Sequence, residues 1–304
     1  MPADRFRVEV QGRTLDLSNL DKVLYPQAGF TKGEVIDYYT RIAPVLLPHL
    51  TDRALTRIRY PNGVDGNSFF EKNAPAATPS WVRTENLPAP GSSKGRETID
   101  YVVADDLPTL VWLANLAALE LHTPQWKIGE HPDLMVVDLD PGAPASLKQC
   151  CQVALLLRDR LAADGVDAYP KTSGKKGMQL SCPIAGTQSS EDVSGYARRI
   201  AQELEREQPK LIVSKMAKNL RPGKIFIDWS QNNAAKTTVA PYSLRAQPVP
   251  SVSAPLTWDE VAAGAAGKRP SSRPYTAGEV LSRADEHGDL LAPLLDLGPA
   301  LPER

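Results

Sequence analysis

Met135-Val136-Val137-Asp138-Leu139-Asp140-Pro141-Gly142 (MVVDLDPG) is the stretch on which the reading of the fold turns. The run from Leu134 to Leu139 is short, apolar and β-branched, and so reads as a core strand. Asp138 and Asp140 close it. Residues two apart in a strand point to one side, so both carboxylates can converge on a single site. Two like charges held together are unfavourable unless a cation neutralises them. Hard oxygen donors suit Mg²⁺ or Mn²⁺, and a pair of such ions can clamp the attacking and leaving oxygens of a phosphoryl transfer. The spacing alone leaves other readings open, since glycosyltransferases carry Asp-x-Asp and many such pairs only cap the next helix.

Outward from this strand, the pattern predicts a helix from about Ser146 to Ala163 that stops near Gly165. MQLSCPI (178–184) reads as a second strand, 190–206 as an amphipathic helix, and KIFIDWS (224–230) as a third strand carrying Asp228. A carboxylate on an apolar strand needs a metal or a partner, which makes Asp228 a candidate third ligand or half of a salt bridge to a nearby lysine. The loop KTSGKKG (171–177) puts glycines beside lysines and a serine, a composition that suits phosphate or a plain solvated hairpin. It is not a Walker A loop. Towards the N-terminus, Thr31 and Glu34 form a capping box, and Val35, Tyr39, Ile42 and Leu46 recur at helical spacing until Pro48. Residues 54–83 read as strands around a turn at Asn62-Gly63, and 88–96 as a loop. A buried helix is predicted from Leu107 to about Glu120, with His122 just past it. Phe69 and Phe70 point to opposite strand faces, so one suits the core and one a base-stacking platform. Strands interleaved with helices indicate an α+β or α/β domain.

The 304 residues are 42% hydrophobic and 23% charged, with a net charge of −1. No apolar run approaches the ~20 residues of a membrane helix, and the N-terminus lacks the apolar core of a secretory signal. Cys150, Cys151 and Cys182 have no metal spacing and read as reduced core thiols of a cytoplasmic protein. Lys210, Lys215, Lys218, Arg221, Lys224 and Lys236 surround Asp228 as the lone acid of that stretch, a local basic patch that suits phosphates.

The chain resembles the polymerase domain of bacterial ligase D, of the archaeo-eukaryotic primase superfamily. The resemblance rests on SNLDKVLYPQAGFTKGEVIDYY, NGVDGNSFFEKNAP, LELHTPQW, VVDLDPG, KTSGKKG and IFIDWSQNNAAKTTVAPYSLRA. It implies an α+β fold, an RRM-like mixed sheet flanked by helices with a second strand layer. It implies one two-lobed catalytic domain over 1–304: an N-terminal lobe (1–130), a catalytic core (131–247) and a C-terminal wrap (248–304). Asp138, Asp140 and Asp228 would bind two Mn²⁺ or Mg²⁺ ions. His122, Ser173, Lys176, Gly177, Arg221, Gln231 and Arg245 would hold the incoming nucleoside triphosphate. Asn19, Lys22 and Lys32 would grip a DNA 5′-phosphate, helped by the start of the helix after Thr31, where free amides favour an anion. Phe69 and Phe70 would stack on the template.

The activity so implied is extension or gap-filling of broken DNA ends in break repair, with a preference for ribonucleotides and Mn²⁺, at the nucleoid in the cytoplasm. The sequence departs from the family at Gln179, where relatives have His, and at Ile58, where relatives can carry Lys. Ligase and nuclease domains are absent from the sequence, so the expectation is a stand-alone polymerase that needs a separate ligase and an end-binding protein. The rival readings are a non-catalytic DNA end-bridging module and an Asp-x-Asp glycosyltransferase or phosphotransferase.

Overall fold

The computed structural model describes residues 5–89, 95–270 and 273–303. β1 (Arg5–Val10) and β2 (Arg13–Ser18) form a hairpin, and β3 (Val23–Tyr25) pairs with β4 (Phe30–Thr31). α1 (Lys32–Leu46) starts at the predicted capping box: Thr31 Oγ1 accepts from the Glu34 amide, and the Glu34 carboxylate accepts from the Thr31 amide. Its predicted apolar face, Val35, Tyr39, Ile42 and Leu46, is buried. β5 (Thr56–Arg59) and β6 (Phe69–Glu71) follow, then a hairpin of β7 (Thr84–Pro88) and β8 (Thr98–Val102) that the sequence pattern does not reveal. Of the loop predicted at 88–96, residues 90–94 lie outside the described residues.

α2 (Leu107–Asn115) ends earlier than predicted. Ala117 takes a left-handed φ of 57°, and the chain turns into the strand β9 (Ala118–Thr123). His122 is therefore a strand residue and does not follow a helix end. Ala118, Leu119, Glu120 and Leu121 are all buried, so β9 shows none of the alternation that marks a half-exposed strand and reads as a continuation of the helix.

β10 (Leu134–Pro141), α3 (Leu147–Ala162), β11 (Tyr169–Thr172), β12 (Met178–Pro183), α4 (Ser190–Glu207), β13 (Ile212–Val213) and β14 (Ile225–Asp228) build the central layer. The mixed sheet runs β11-β12-β10-β14-β13, with only the β13–β14 pair parallel. α3 and α4 pack on it, and Met135, Val137 and Leu139 join Cys150, Val153 and Ala197 in the apolar cluster. A second sheet runs β15-β9-β5-β6, where β15 is Thr238–Val239. The expected α+β architecture, a helix-flanked mixed sheet with a second strand layer, is what the chain adopts.

Beyond residue 240, β16 (Leu244–Arg245) pairs with β17 (Ser251–Val252), α5 (Trp258–Ala265) packs on α3, and α6 (Ala277–His287) packs on α1. Leu256, Val261, Tyr275 and Val280 belong to the same apolar cluster as the central sheet. No helix among the described residues is long and apolar enough to cross a membrane.

Candidate active site

Register assembles the site. Antiparallel pairing sets Lys171 of β11 opposite Gln179 of β12, Gln179 opposite Asp138 of β10, and Asp138 opposite Asp228 of β14. Directly opposed residues share a face, so these four side chains form one row, with Asp140 two residues further along β10. The alternate residues Met135, Val137 and Leu139 fill the core on the helix side. The apolar character of β10 and its acids thus belong to opposite faces of one strand.

The row is electrostatically strained without a cation. Burial, then the neighbouring Asp140 and Asp228 carboxylates, push Asp138 up to about 7, although a Gln179 hydrogen bond opposes this. Burial and Asp228 raise Asp140 as well, against the pull of Arg221. Buried Asp138 beside the exposed Asp140 gives two hard-oxygen donors that resist ionising together, which fits a divalent ion. Asp228 is turned aside. Its Oδ1 accepts from the Ser230 amide at 3.0 Å and the Ser230 hydroxyl at 2.5 Å, and its Oδ2 accepts from Gln231 Nε2 at 3.0 Å. Among the described residues no three His, Cys, Asp or Glu side chains are gathered as a cage for an ion, and Asp228 capping the turn Trp229–Asn232 is consistent with that.

Gln179 faces the acids. Lys171, only 2% exposed, donates to the Gln179 side-chain oxygen, to the Val239 carbonyl at 2.9 Å and to Ser253 Oγ at 2.9 Å. With its oxygen taken by Lys171, the Gln179 amide is oriented to donate to Asp138. Burial, then the Arg245 charge, lower Lys171 to about 7, with Asp138 pulling the other way. Lys171 is a neighbour that sequence reading missed, because an isolated lysine in a four-residue strand carries no signal.

The glycine loop abuts this row. A Cβ on Gly177 would lie 2.3 Å from the Leu139 carbonyl and 3.6 Å from Asp140 Oδ1, so only glycine lets the loop reach β10 so closely. Gly174 has φ +68°, and a Cβ there would lie 2.5 Å from Arg245 Cγ. Ser173 Oγ accepts from the Gly177 amide at 3.1 Å and the Lys175 amide at 3.3 Å, closing the loop on itself. Just past β10, the Gly142 amide donates to the Lys224 carbonyl and the Gly142 carbonyl accepts from the Gly223 amide, and the Arg221 guanidinium lies 3.7 Å from the Phe226 ring centre.

A second cluster centres on Glu120, which sequence reading did not single out. Its Oε2 meets His122 Nε2 at 3.1 Å and Arg245 Nη2 at 3.4 Å, and its Oε1 meets Lys175 Nζ at 3.2 Å and the Ala246 amide at 3.0 Å. Burial pushes this carboxyl up, but the His122 hydrogen bond and the Arg245 and Lys175 charges outweigh it and hold it at about 2. Burial lowers His122, against the pull of Glu120. Lys175, not the predicted Lys176, reaches this cluster, while Lys176 is exposed.

In the N-terminal region the Lys22 ammonium donates to Asn62 Oδ1 at 3.0 Å, and the Lys32 ammonium donates to the Ser18 carbonyl at 2.6 Å. Lys32 is 6% exposed, and burial followed by the Lys22 and Arg59 charges lower it to about 8. Asn19 has φ +54°, and its carbonyl accepts from the Lys22 amide. The predicted free amides at the helix start are already used: those of Lys32 and Gly33 donate to the Lys22 and Leu20 carbonyls, and that of Glu34 to Thr31 Oγ1. Ile58 lies opposite Phe70, and both Phe69 (48%) and Phe70 (60%) are exposed, so neither serves the core.

A family model described as LigD, primase-polymerase domain, matches residues 31–291. The chain is 46% identical over 282 residues to the multifunctional non-homologous end joining protein LigD of Mycolicibacterium smegmatis, covering 91% of this chain and 36% of that protein. It is 34% identical over 249 residues to the bifunctional non-homologous end joining protein LigD of Bacillus subtilis, covering 81% and 39%. Its fold matches the polymerase domain of Mycobacterium tuberculosis ligase D, solved in complex with DNA, with a TM-score of 0.86 and 41% identity over 94% of this chain and 99% of that one. The chain thus spans little more than a third of the length of the curated relatives it matches.

Proposed function

The chain belongs to the family of LigD primase-polymerase domains, and from that premise we propose that it adds nucleotides to the 3′ ends of broken or gapped DNA in end-joining repair. The observation that carries this reading is the grouping of Asp138, Asp140 and Asp228 on adjacent strands, flanked by the glycine loop on one side and by Arg221 on the other.

Asp138 and Asp140 would hold the divalent ions, two of them and Mn²⁺ by preference, and Asp228 would join by releasing Ser230 and Gln231. Ions held there would supply acidification of the primer hydroxyl and neutralisation of the triphosphate charge. The chain's own residues do the positioning. Ser173, Lys176 and Gly177 lie in the loop that would cradle the triphosphate, His122 of the second sheet and Arg245 of β16 line it, and Arg221 and Gln231 approach from the β14 side. No side-chain nucleophile is required. Phe69 and Phe70, exposed and adjacent, suit stacking on template bases.

Lys22 and Lys32, close enough that one ammonium depresses the other, suit a DNA 5′-phosphate with Asn19 beside them. The ribonucleotide preference, the separate ligase and end-binding partners, the cytoplasmic nucleoid as the place of action and the single two-lobed domain are parts of the same proposal.

The test is primer extension on gapped duplexes with Mn²⁺, comparing ribo- and deoxynucleotides and downstream strands with and without a 5′-phosphate. We expect extension that favours ribonucleotides, and at least about tenfold tighter binding of the phosphorylated gap. Asp138→Ala, Asp140→Ala and Asp228→Ala should each abolish extension with DNA binding intact. Near wild-type rates in any two of the three would end the assignment of the row, and equal binding of both gaps would end that of the lysine pair.

A further inference from the structure

Glu120 is completely buried and lies outside the acid row, yet it draws to itself two side chains of the proposed triphosphate site, His122 and Arg245, and Lys175 of the glycine loop. We propose that Glu120 is a positioning residue for the nucleotide, holding the His122 imidazole, the Lys175 ammonium and the Arg245 guanidinium as a preformed wall for the triphosphate. The inference rests on the reading above that a triphosphate binds beside the glycine loop.

Four features carry it. Glu120 has no exposed surface, so a nucleotide cannot touch it, and any effect on binding must pass through its partners. Each of its oxygens serves two partners, one carboxylate thereby fixing groups from β9, from the glycine loop and from β16. The charges do not cancel: Lys175 and Arg245 leave a surplus of one positive charge over Glu120 even with His122 neutral, and the Lys175 side chain is 38% exposed. Finally, Arg245 is 8% exposed and its Nε is buried without an acceptor, so the contact with Glu120 is what holds the guanidinium in place. Because Gly174 packs on the Arg245 side chain and the Gly174 carbonyl accepts from Ser251 Oγ at 2.7 Å, fixing Arg245 also fixes the loop that reaches Asp140.

A carboxylate that only neutralised buried cations for the sake of the fold would matter for stability and leave the nucleotide KM alone. The test is steady-state extension by the full chain on a gapped duplex with Mn²⁺ and a ribonucleoside triphosphate. Glu120→Gln keeps the size and loses the charge. It should raise the nucleotide KM by at least about tenfold while kcat and the DNA Kd change by less than about threefold. Glu120→Asp, which keeps the charge, should bring KM back towards the wild-type value. Lys175→Met should raise KM by itself, and adding it to Glu120→Gln should cost less than the product of the two single effects, since both act through one contact.

An unchanged KM in Glu120→Gln overturns the proposal. So does a lowered KM, which would mean that the carboxylate competes with the triphosphate for its cations. Should Glu120→Gln not fold, Lys175→Met carries the test, and an unchanged KM there has the same consequence. If the unmodified chain incorporates no nucleotide, it is the underlying reading that fails.

Discussion

Asp138 sits between a neutral donor, Gln179, and two carboxylates, and its raised pKa of about 7 records how poorly that setting tolerates a second negative charge. The sign of the resulting pH dependence follows. The folded-state value lies above the ordinary aspartate value of 3.8, so protonation of Asp138 supports the metal-free fold fully below about pH 4, and that support is lost as pH rises through about 7. The titration is shared with Asp140, which is raised for the same reasons. Asp138→Asn mimics the protonated state. In the presence of a chelator it should melt at least about 3 °C above the unsubstituted chain at pH 8, with the two converging near pH 4. Added Mn²⁺ should raise the melting point of the unsubstituted chain and not that of the variant. Thermal melts across pH decide it: a variant no more stable at pH 8 rules out the repulsion. The acids were legible in the sequence because their two-residue spacing at the end of a strand is a local pattern. Glu120, Lys171 and Lys175 were not, since their meaning arises only when segments distant in the chain, such as β9 and β16, are brought together.

At the scale of elements, the helices were the most legible. The capping boxes of α1 and α4 and the 3.6-residue period of their buried faces are signals contained within each helix. Some strands are harder: β9 is buried from Ala118 to Leu121 and reads in sequence as the end of α2, and β7–β8, a separate two-stranded sheet, leaves no pattern. The glycine loop was recognised by composition, but composition could not say that Gly177 backs directly onto β10. That contact makes a prediction. Gly177→Ala forces its Cβ against the Leu139 carbonyl and should destabilise the chain by about 1–3 kcal/mol while displacing the loop from Asp140, so extension falls even under conditions where the variant is folded. Gly195 in α4 is the contrast, with no atom within 4 Å of a built Cβ, and Gly195→Ala should stabilise by about 0.5–1 kcal/mol without touching extension. Denaturant unfolding together with extension rates separates the two. Equal effects would mean that close approach at Gly177 is not what matters.

Across the whole molecule, the segment after residue 247 reads in sequence as a wrap around the body, because it turns to proline, alanine and serine with fewer bulky apolar groups. Several of its large apolar residues, among them Leu256, Val261, Val280 and Leu291, are nonetheless buried, and a polar tie fastens it to two earlier parts of the chain. Asp289 Oδ2 bonds His49 Nε2 at 2.8 Å, just beyond α1, and Asp289 Oδ1 accepts from Tyr242 Oη at 2.7 Å and the Leu291 amide at 2.9 Å. Tyr242 itself stands at φ 63°, and its carbonyl accepts from Tyr38 Oη at 2.7 Å, so the tie reaches α1 by two routes. Burial acts to raise Asp289, but the His49 hydrogen bond and charge, with the Tyr242 and Leu291 bonds, win and lower it. A depressed carboxylate contributes stability above its unfolded value, near pH 4, and loses that contribution as pH falls through its folded value. Asp289→Asn should therefore cost roughly 1.5–3 kcal/mol at pH 7, where the ionised acceptor is missing, and progressively less as the pH is taken below about 4. Equilibrium unfolding from pH 7 down into the acid range reads this directly. A deficit that stays constant with pH would show that the site is held by shape alone, and no deficit at pH 7 would show that the tail docks through its apolar residues without this tie.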